Sequence, residues 1–216
     1  MIIVVGGIKG GSGKTTIATN LAIIKALNGS DLLLIDADDQ ETATDFSILR
    51  NDVAAARPRY TNIKLTGAAV RTETQQLCQK YKDIIIDTGG RDTSSQRAAL
   101  SVADIVLIPF VPRSFDIWTL GQIETIITEM KLSNPSLRAY SFLNRADPRS
   151  QDNAGAAQLL QENTSLHFID TPLIARKAFG NASAQGLSVV EIVPSDSKAL
   201  DEIMNLYRYI YDIKSK

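Results

Sequence analysis

The residues best equipped for chemistry in this chain stand together near its start, as Ile8-Lys9-Gly10-Gly11-Ser12-Gly13-Lys14-Thr15-Thr16. They follow the apolar, β-branched run Ile2-Ile3-Val4-Val5 and the pair Gly6-Gly7. Glycines in such a place let the backbone curl with its N–H groups turned inward. The resulting nest, continued by the N-terminus of the next helix, binds the α- and β-phosphates of a nucleotide. Lys14 would reach the β- and γ-phosphates, and the Thr15 hydroxyl would ligate Mg²⁺. Aligned on Gly13-Lys14-Thr15, the pattern G-x-x-x-x-G-K-[ST] begins at Ile8, so the unit departs from the ordinary phosphate-binding loop only at its first position. The competing reading is a glycine-rich turn that binds nothing. Glycines, lysine and two threonines in this order, between a strand and a helix, argue against it.

Two acidic segments end other apolar runs. Leu32-Leu33-Leu34-Ile35 leads into Asp36-Ala37-Asp38-Asp39-Gln40, and Asp83-Ile84-Ile85-Ile86 leads into Asp87-Thr88-Gly89-Gly90. Open parallel sheets bind ligands beyond the carboxyl ends of their strands. Asp87 is therefore the candidate acid that holds Mg²⁺ through water. The acids at 36, 38 and 39 have a competing use as caps of the following helix. Arg91-Asp92, next along the chain, reads most simply as a solvated ion pair.

The elements that must position these groups are legible in outline. Apolar runs at 2–5, 32–35, 84–86 and 105–108 alternate with helix-like segments, which predicts an α/β fold, a P-loop NTPase-type, mostly parallel sheet with helices on both faces. Residues 139–143 and 168–169 are expected further strands, and Asn134-Pro135-Ser136 and Asp147-Pro148-Arg149-Ser150 read as turns. The 216 residues, 44% hydrophobic and 22% charged, suit a single domain spanning 1–216. The first segment is too soon broken by glycines for a signal peptide, and no apolar run is long enough to span a bilayer. The single cysteine, Cys78, is expected to pack within a helix and cannot close an intramolecular disulfide, which fits a cytoplasmic setting. With His167 the only histidine, a histidine-based zinc site or a Ser-His-Asp triad has little to build on.

Lys9-Gly10-Gly11-Ser12-Gly13-Lys14-Thr15, with its early second lysine, resembles the deviant Walker A box of the ParA/MinD ATPases. That resemblance implies that Lys9 reaches the phosphates of ATP bound by a partner subunit, so that dimerisation and nucleotide state are linked. It implies catalytic roles for Lys9, Lys14 and Asp38, with Asp38 orienting the attacking water. It also implies nucleotide contacts from Lys9 through Thr16 (Lys9, Gly10, Gly11, Ser12, Gly13, Lys14, Thr15 and Thr16), and a magnesium site of Thr15, Asp36 and Asp87, with Asp36 in the metal's outer sphere. Asn144, at the end of an expected strand, matches the family's adenine-contacting asparagine; an amide both donates and accepts, so it can read a purine edge. Two departures stand out. Asp39 occupies a place where the family commonly has proline, and Gly89-Gly90 replaces prolines, which suggests a more mobile loop after Asp87. Asp104–Pro109 and Pro112-Arg113-Ser114-Phe115-Asp116 resemble the strand and loop that follow, with Phe115 and Trp118 expected in core or interface.

The functional expectation is a cytoplasmic, nucleoid-associated ATPase using ATP and Mg²⁺. It would form a homodimer on ATP binding, contact DNA non-specifically, and partition a plasmid or chromosome region with a ParB-type or other small centromere-binding protein. The loop starts within ten residues of Met1, which leaves no room ahead of it for an operator-reading domain. A net charge of −1 implies that any DNA-binding face is local; Arg176-Lys177 is one candidate, with Lys198, Arg208, Lys214 and Lys216 further on. MinD-like proteins end in a membrane-inserting basic helix. Here Ile203, Leu206, Tyr207, Ile210 and Tyr211 form a stripe better suited to docking on the sheet, so no membrane is expected. The alternatives are a positioner of a protein assembly such as a carboxysome or chemoreceptor array, a MinD-like membrane ATPase, and a metabolic P-loop enzyme.

Overall fold

A computed structural model describes residues 1–53, 57–112 and 119–212. Arg113, Ser114, Phe115, Asp116, Trp118, Lys214 and Lys216, named above, lie outside the described residues. Seven strands form one sheet in the order β3-β2-β4-β1-β5-β6-β7. They are β1 (Ile2–Val5), β2 (Leu32–Ala37), β3 (Thr61–Lys64), β4 (Asp83–Thr88), β5 (Ile105–Phe110), β6 (Arg138–Leu143) and β7 (His167–Phe168). Every pairing is parallel. Parallel strands need long crossovers, here mostly helical, and the helices then cover both faces.

That double coverage explains the unbroken apolar runs. Along β1, Ile3 and Val5 point to one layer and Val4 to the other. The first layer holds α1 (Lys14–Leu27), α7 (Lys177–Ser183) and α8 (Ser197–Asp212). The opposite layer holds α3 (Ala69–Leu77), α4 (Ser94–Leu100), α5 (Leu120–Ser133) and α6 (Asp152–Glu162). The remaining described helix, α2 (Thr42–Val53), follows β2. Ile203, Leu206 and Ile210 of α8 are fully buried against the sheet, with Tyr207 and Tyr211 packed beside them, so this stripe is spent within the fold. No helix among the described residues is long and apolar enough to cross a membrane.

One strand is added to those expected, and one expectation is corrected. Strand β3 was not anticipated: it is a four-residue edge strand whose burial is at most partial, so its pattern carries little apolar signal. Cys78 is exposed rather than packed, because α3 ends at Leu77 and the face built on Val70 and Thr74 is not continued.

A buried polar cluster joins α2 to the segment before α8. The Arg50 guanidinium donates to both Glu191 oxygens at 2.8 and 3.0 Å, and also to the Gly186 and Pro58 carbonyls. Burial pushes the Glu191 carboxyl up, but the Arg50 bond, the Ser188 N–H and Arg57 outweigh it and hold the group below its ordinary 4.5. A carboxyl lowered by folding stabilises the native state above its unfolded value and loses that contribution as pH falls through the folded one. Glu191→Ala is expected to cost about 3–5 kcal/mol in urea unfolding at neutral pH, since it strands a buried guanidinium. The gap between parent and variant should narrow as pH drops below 4.5; equal stability at neutral pH would refute the assignment.

Candidate functional site

Strand β1 lies between β4 and β5, and the chain leaves it at its carboxyl end through Gly6-Gly7 into the glycine-rich loop. Gly13 takes φ +89°, a left-handed conformation, and α1 begins at the next residue with no side-chain cap. The first-turn N–H groups are thereby left for a ligand, which is the geometry of an anion site. A cavity of about 620 Å³ opens there. Gly10, Gly11 and Gly13 to Thr16 line it from the loop side, Asp38 to Gln40 from the end of β2, and Gly89 to Arg91 from the end of β4.

Most of the residues singled out in the sequence therefore meet at one place. Lys14 is buried, and its Nζ donates to the Lys9 carbonyl at 2.9 Å. Burial lowers the pKa of this ammonium, while the charges of Asp87 and Asp38 raise it. Lys9 is half-buried in the same loop, and its carbonyl also accepts the Ser12 hydroxyl at 3.3 Å. Asp38 is half-exposed toward the cavity, its Oδ1 accepting the Gln40 N–H.

Asp36 and Asp87 are register partners on adjacent strands, both wholly buried. Their environments differ sharply. Asp36 Oδ2 accepts the Thr44 N–H and hydroxyl, each at 2.8 Å, and Oδ1 accepts the Asp38 N–H. It thus fastens the first turn of α2, which is the capping use weighed above. Neither Asp87 oxygen has a donor at hydrogen-bond geometry. Burial pushes its carboxyl up to about 7, with the charges of Asp36 and Asp38 adding to the push and the Thr15 hydroxyl and Lys14 pulling back. An orphaned buried carboxylate beside a threonine hydroxyl, at the strand end adjoining the glycine-rich loop, is a donor set that fits a hard divalent cation.

Asn144 sits behind the loop, its Nδ2 donating to the Ser12 carbonyl at 2.6 Å. It braces the loop and is not among the residues lining the cavity; its neighbour Arg145 is. The expected Arg91–Asp92 pair does not form, because Arg97 holds both Asp92 oxygens at 2.8 and 2.7 Å, and Arg91 lines the cavity. Arg176, a candidate DNA contact, is tied to Glu202 at 2.6 Å, whereas Lys177 is exposed.

Other participants were not legible in the sequence. Buried Gln96 of α4 accepts at Oε1 the Gly7 N–H at 3.2 Å and the Thr88 hydroxyl at 3.0 Å, linking the loop to the end of β4. Set among polar neighbours in Ser94-Ser95-Gln96-Arg97, it carries no mark in the sequence. Gly90 serves close packing. A Cβ on Gly90 would lie 2.6 Å from the Gly10 nitrogen and 2.9 Å from the Lys9 carbonyl carbon, so the segment after Asp87 rests directly on the Lys9 backbone.

Fold and loop together define a P-loop nucleotide-binding protein. Comparison with known families narrows this. Residues 3–189 match the model described as "CobQ/CobB/MinD/ParA nucleotide binding domain". Maintenance of carboxysome distribution protein A from Halothiobacillus neapolitanus is 28% identical over 92% of this chain and 91% of its own length. The protein of the same name from Gloeobacter kilaueensis is 31% identical, covering 85% and 81%. The solved structure of apo McdA from Cyanothece shares the fold, with a TM-score of 0.79 at 18% identity over 97% of this chain and 98% of that one. The chain belongs to the ParA/MinD family of nucleotide-binding proteins.

Two expected outcomes follow from this geometry. In magnesium-free buffer, a carboxyl raised from 3.8 to about 7 favours the native state at low pH, and that contribution is lost as pH rises through 7. Asp87→Asn should therefore unfold at higher urea than the parent at pH 8, by a few kcal/mol, and show little difference near pH 4; equal midpoints at pH 8 would refute the burial argument. Gly90→Ala should weaken nucleotide binding roughly ten-fold or more by displacing Lys9 and Gly10. Gly121→Ala, where nothing lies within 4 Å, is the control that should bind as the parent does. Calorimetric titration compares the three.

Proposed function

We propose that this chain acts as one Mg²⁺-dependent ATPase domain whose ATP-bound form is a homodimer bridged by Lys9, and that the cycle positions a cargo. The observation that carries this reading is the juxtaposition, at one sheet edge, of the two-lysine loop, Asp38 lining the cavity with Lys14 and Thr15, and wholly buried Asp87 on the neighbouring strand. In this reading the polyphosphate lies in the nest from Gly10 to Thr16, and Lys14 exchanges the Lys9 carbonyl for phosphate oxygens. Thr15 and Asp87 would hold the magnesium ion, which supplies charge neutralisation at the phosphates, and Asp36 shapes that site by fixing the start of α2. Asp38 orients water for in-line attack on the γ-phosphorus, releasing ADP and phosphate. The chain contributes positioning and electrostatics rather than covalent chemistry.

The resemblance of the sequence pointed first to DNA segregation with a ParB-type partner. The carboxysome-distribution names of the two relatives support the other cargo, a protein assembly engaged through its own adaptor. Both cargoes share a nucleotide-driven dimer. With Arg176 paired to Glu202, non-specific DNA contact would fall to other cations, Lys177 among them.

Light scattering coupled to size exclusion tests the switch. Dimer is expected with ATP and Mg²⁺, monomer with ADP. Lys9→Ala is expected to stay monomeric with ATP while still binding it. Retention on non-specific duplex DNA, measured alongside, should follow the dimer. A parent that stays monomeric with ATP would overturn the switch and favour a metabolic P-loop enzyme.

A further inference from the structure

A loop can present its N–H groups to an anion only if the carbonyls of the same peptides point away, because a trans peptide sets the two on opposite sides. Each outward carbonyl then needs a donor of its own. The Lys9 carbonyl takes the Lys14 ammonium and the Ser12 hydroxyl, and the Gly13 carbonyl takes the Ile17 N–H at 3.0 Å as the opening bond of α1. The carbonyls of Gly11 and Ser12 are served from across the sheet. Arg145 Nη1 donates to the Gly11 oxygen at 2.9 Å, and Asn144 Nδ2 to the Ser12 oxygen at 2.6 Å.

Arg145 carries a second mark. Its φ is +54°, and Glu41 is the only other non-glycine residue with positive φ among the described residues. A left-handed arginine is strained by roughly 1 kcal/mol and persists only where its surroundings dictate it. The surroundings here are firm. The Asn144 N–H donates to the Phe110 carbonyl at 2.7 Å, and the Ala146 N–H donates to the Leu173 carbonyl at 3.0 Å. Held on both sides, the chain turns at 145 immediately after β6, and the guanidinium lies over the loop while lining the cavity.

We infer that Arg145 is a positioning residue of the phosphate nest: by holding the Gly11 carbonyl outward it aims the Ser12 N–H at the phosphates of a bound nucleoside polyphosphate. Asn144 does the same for the Gly13 N–H one peptide on. The inference rests on the nucleotide-binding reading above. Because the nest grips phosphate rather than base or ribose, its loss must weaken every ligand with the same diphosphate unit alike.

The test is calorimetric titration of parent, Arg145→Ala, Arg145→Gly and Arg145→Lys with ATP and, separately, with inorganic pyrophosphate, magnesium present throughout. Arg145→Ala and Arg145→Gly are expected to weaken both ligands by the same factor, about five-fold for a charged hydrogen bond at an exposed site. Arg145→Lys should recover part of the loss, since an ammonium can still donate to a carbonyl. Arg145→Gly relieves the left-handed backbone, so its melting temperature should be no lower than the parent's, which separates lost binding from lost folding. Unchanged affinity in Arg145→Ala would overturn the inference. So would a loss confined to ATP, which would place the guanidinium on the nucleoside. A parent that binds neither ligand would instead refute the nucleotide reading on which it rests.

Discussion

Two carboxylates placed side by side in the dry edge of a parallel sheet are the constraint around which this site is built. The register of β2 against β4 fixes Asp36 opposite Asp87, with no exposure of either. Like charges in such a place cannot both go uncompensated. The fold resolves this asymmetrically. Asp36 is given three donors from the first turn of α2 and the loop before it, and becomes a structural anchor. Asp87 is given none at hydrogen-bond geometry and is left with Lys14 and Thr15 as its counterweights. The result is a strand end whose unpartnered carboxylate fits a divalent cation.

Around that edge, the loop is held from several directions at once. Gln96 fixes Gly7, Asn144 and Arg145 hold Ser12 and Gly11, and the backbone of Gly90 rests on Lys9 and Gly10. The first turn of α1 is fastened from behind as well: Asn20 donates to the Thr16 carbonyl and accepts from Ser188 and Val189. A site held this way needs little reorganisation when charge arrives, which is the condition under which fixed dipoles and ammonium groups act most strongly. The close approach of Gly90 also joins the segment after β4 to the backbone of Lys9.

The same packing bears on the branches of the family. The apolar stripe of α8 is consumed by the sheet, which leaves that helix no free apolar face for a lipid surface. Arg176 is neutralised by Glu202 within the fold. Both facts concern how a helix is spent, and both follow from contacts between segments far apart in the chain.

The amino-acid sequence alone determined the elements whose signal is local. Ile2–Val5 followed by glycines, Lys14 and Thr15 specify strand, nest and helix within a dozen residues, and the runs ending at Asp36 and Asp87 declare two further buried strands. Those strands read clearly because both faces are covered. Strand β3, an edge with at most partial burial, leaves almost no trace in the pattern. What only the tertiary structure decided is which polar groups meet. Asn144 and Arg145 lie more than 130 positions from their loop partners. Nothing in the local sequence shows that the amide would brace a carbonyl, that Arg97 would take Asp92 from Arg91, or that Gly90 would lie close against the loop backbone. Local propensity is written in neighbouring residues, whereas the pairing of charges and donors is set by which strand ends the sheet order brings together.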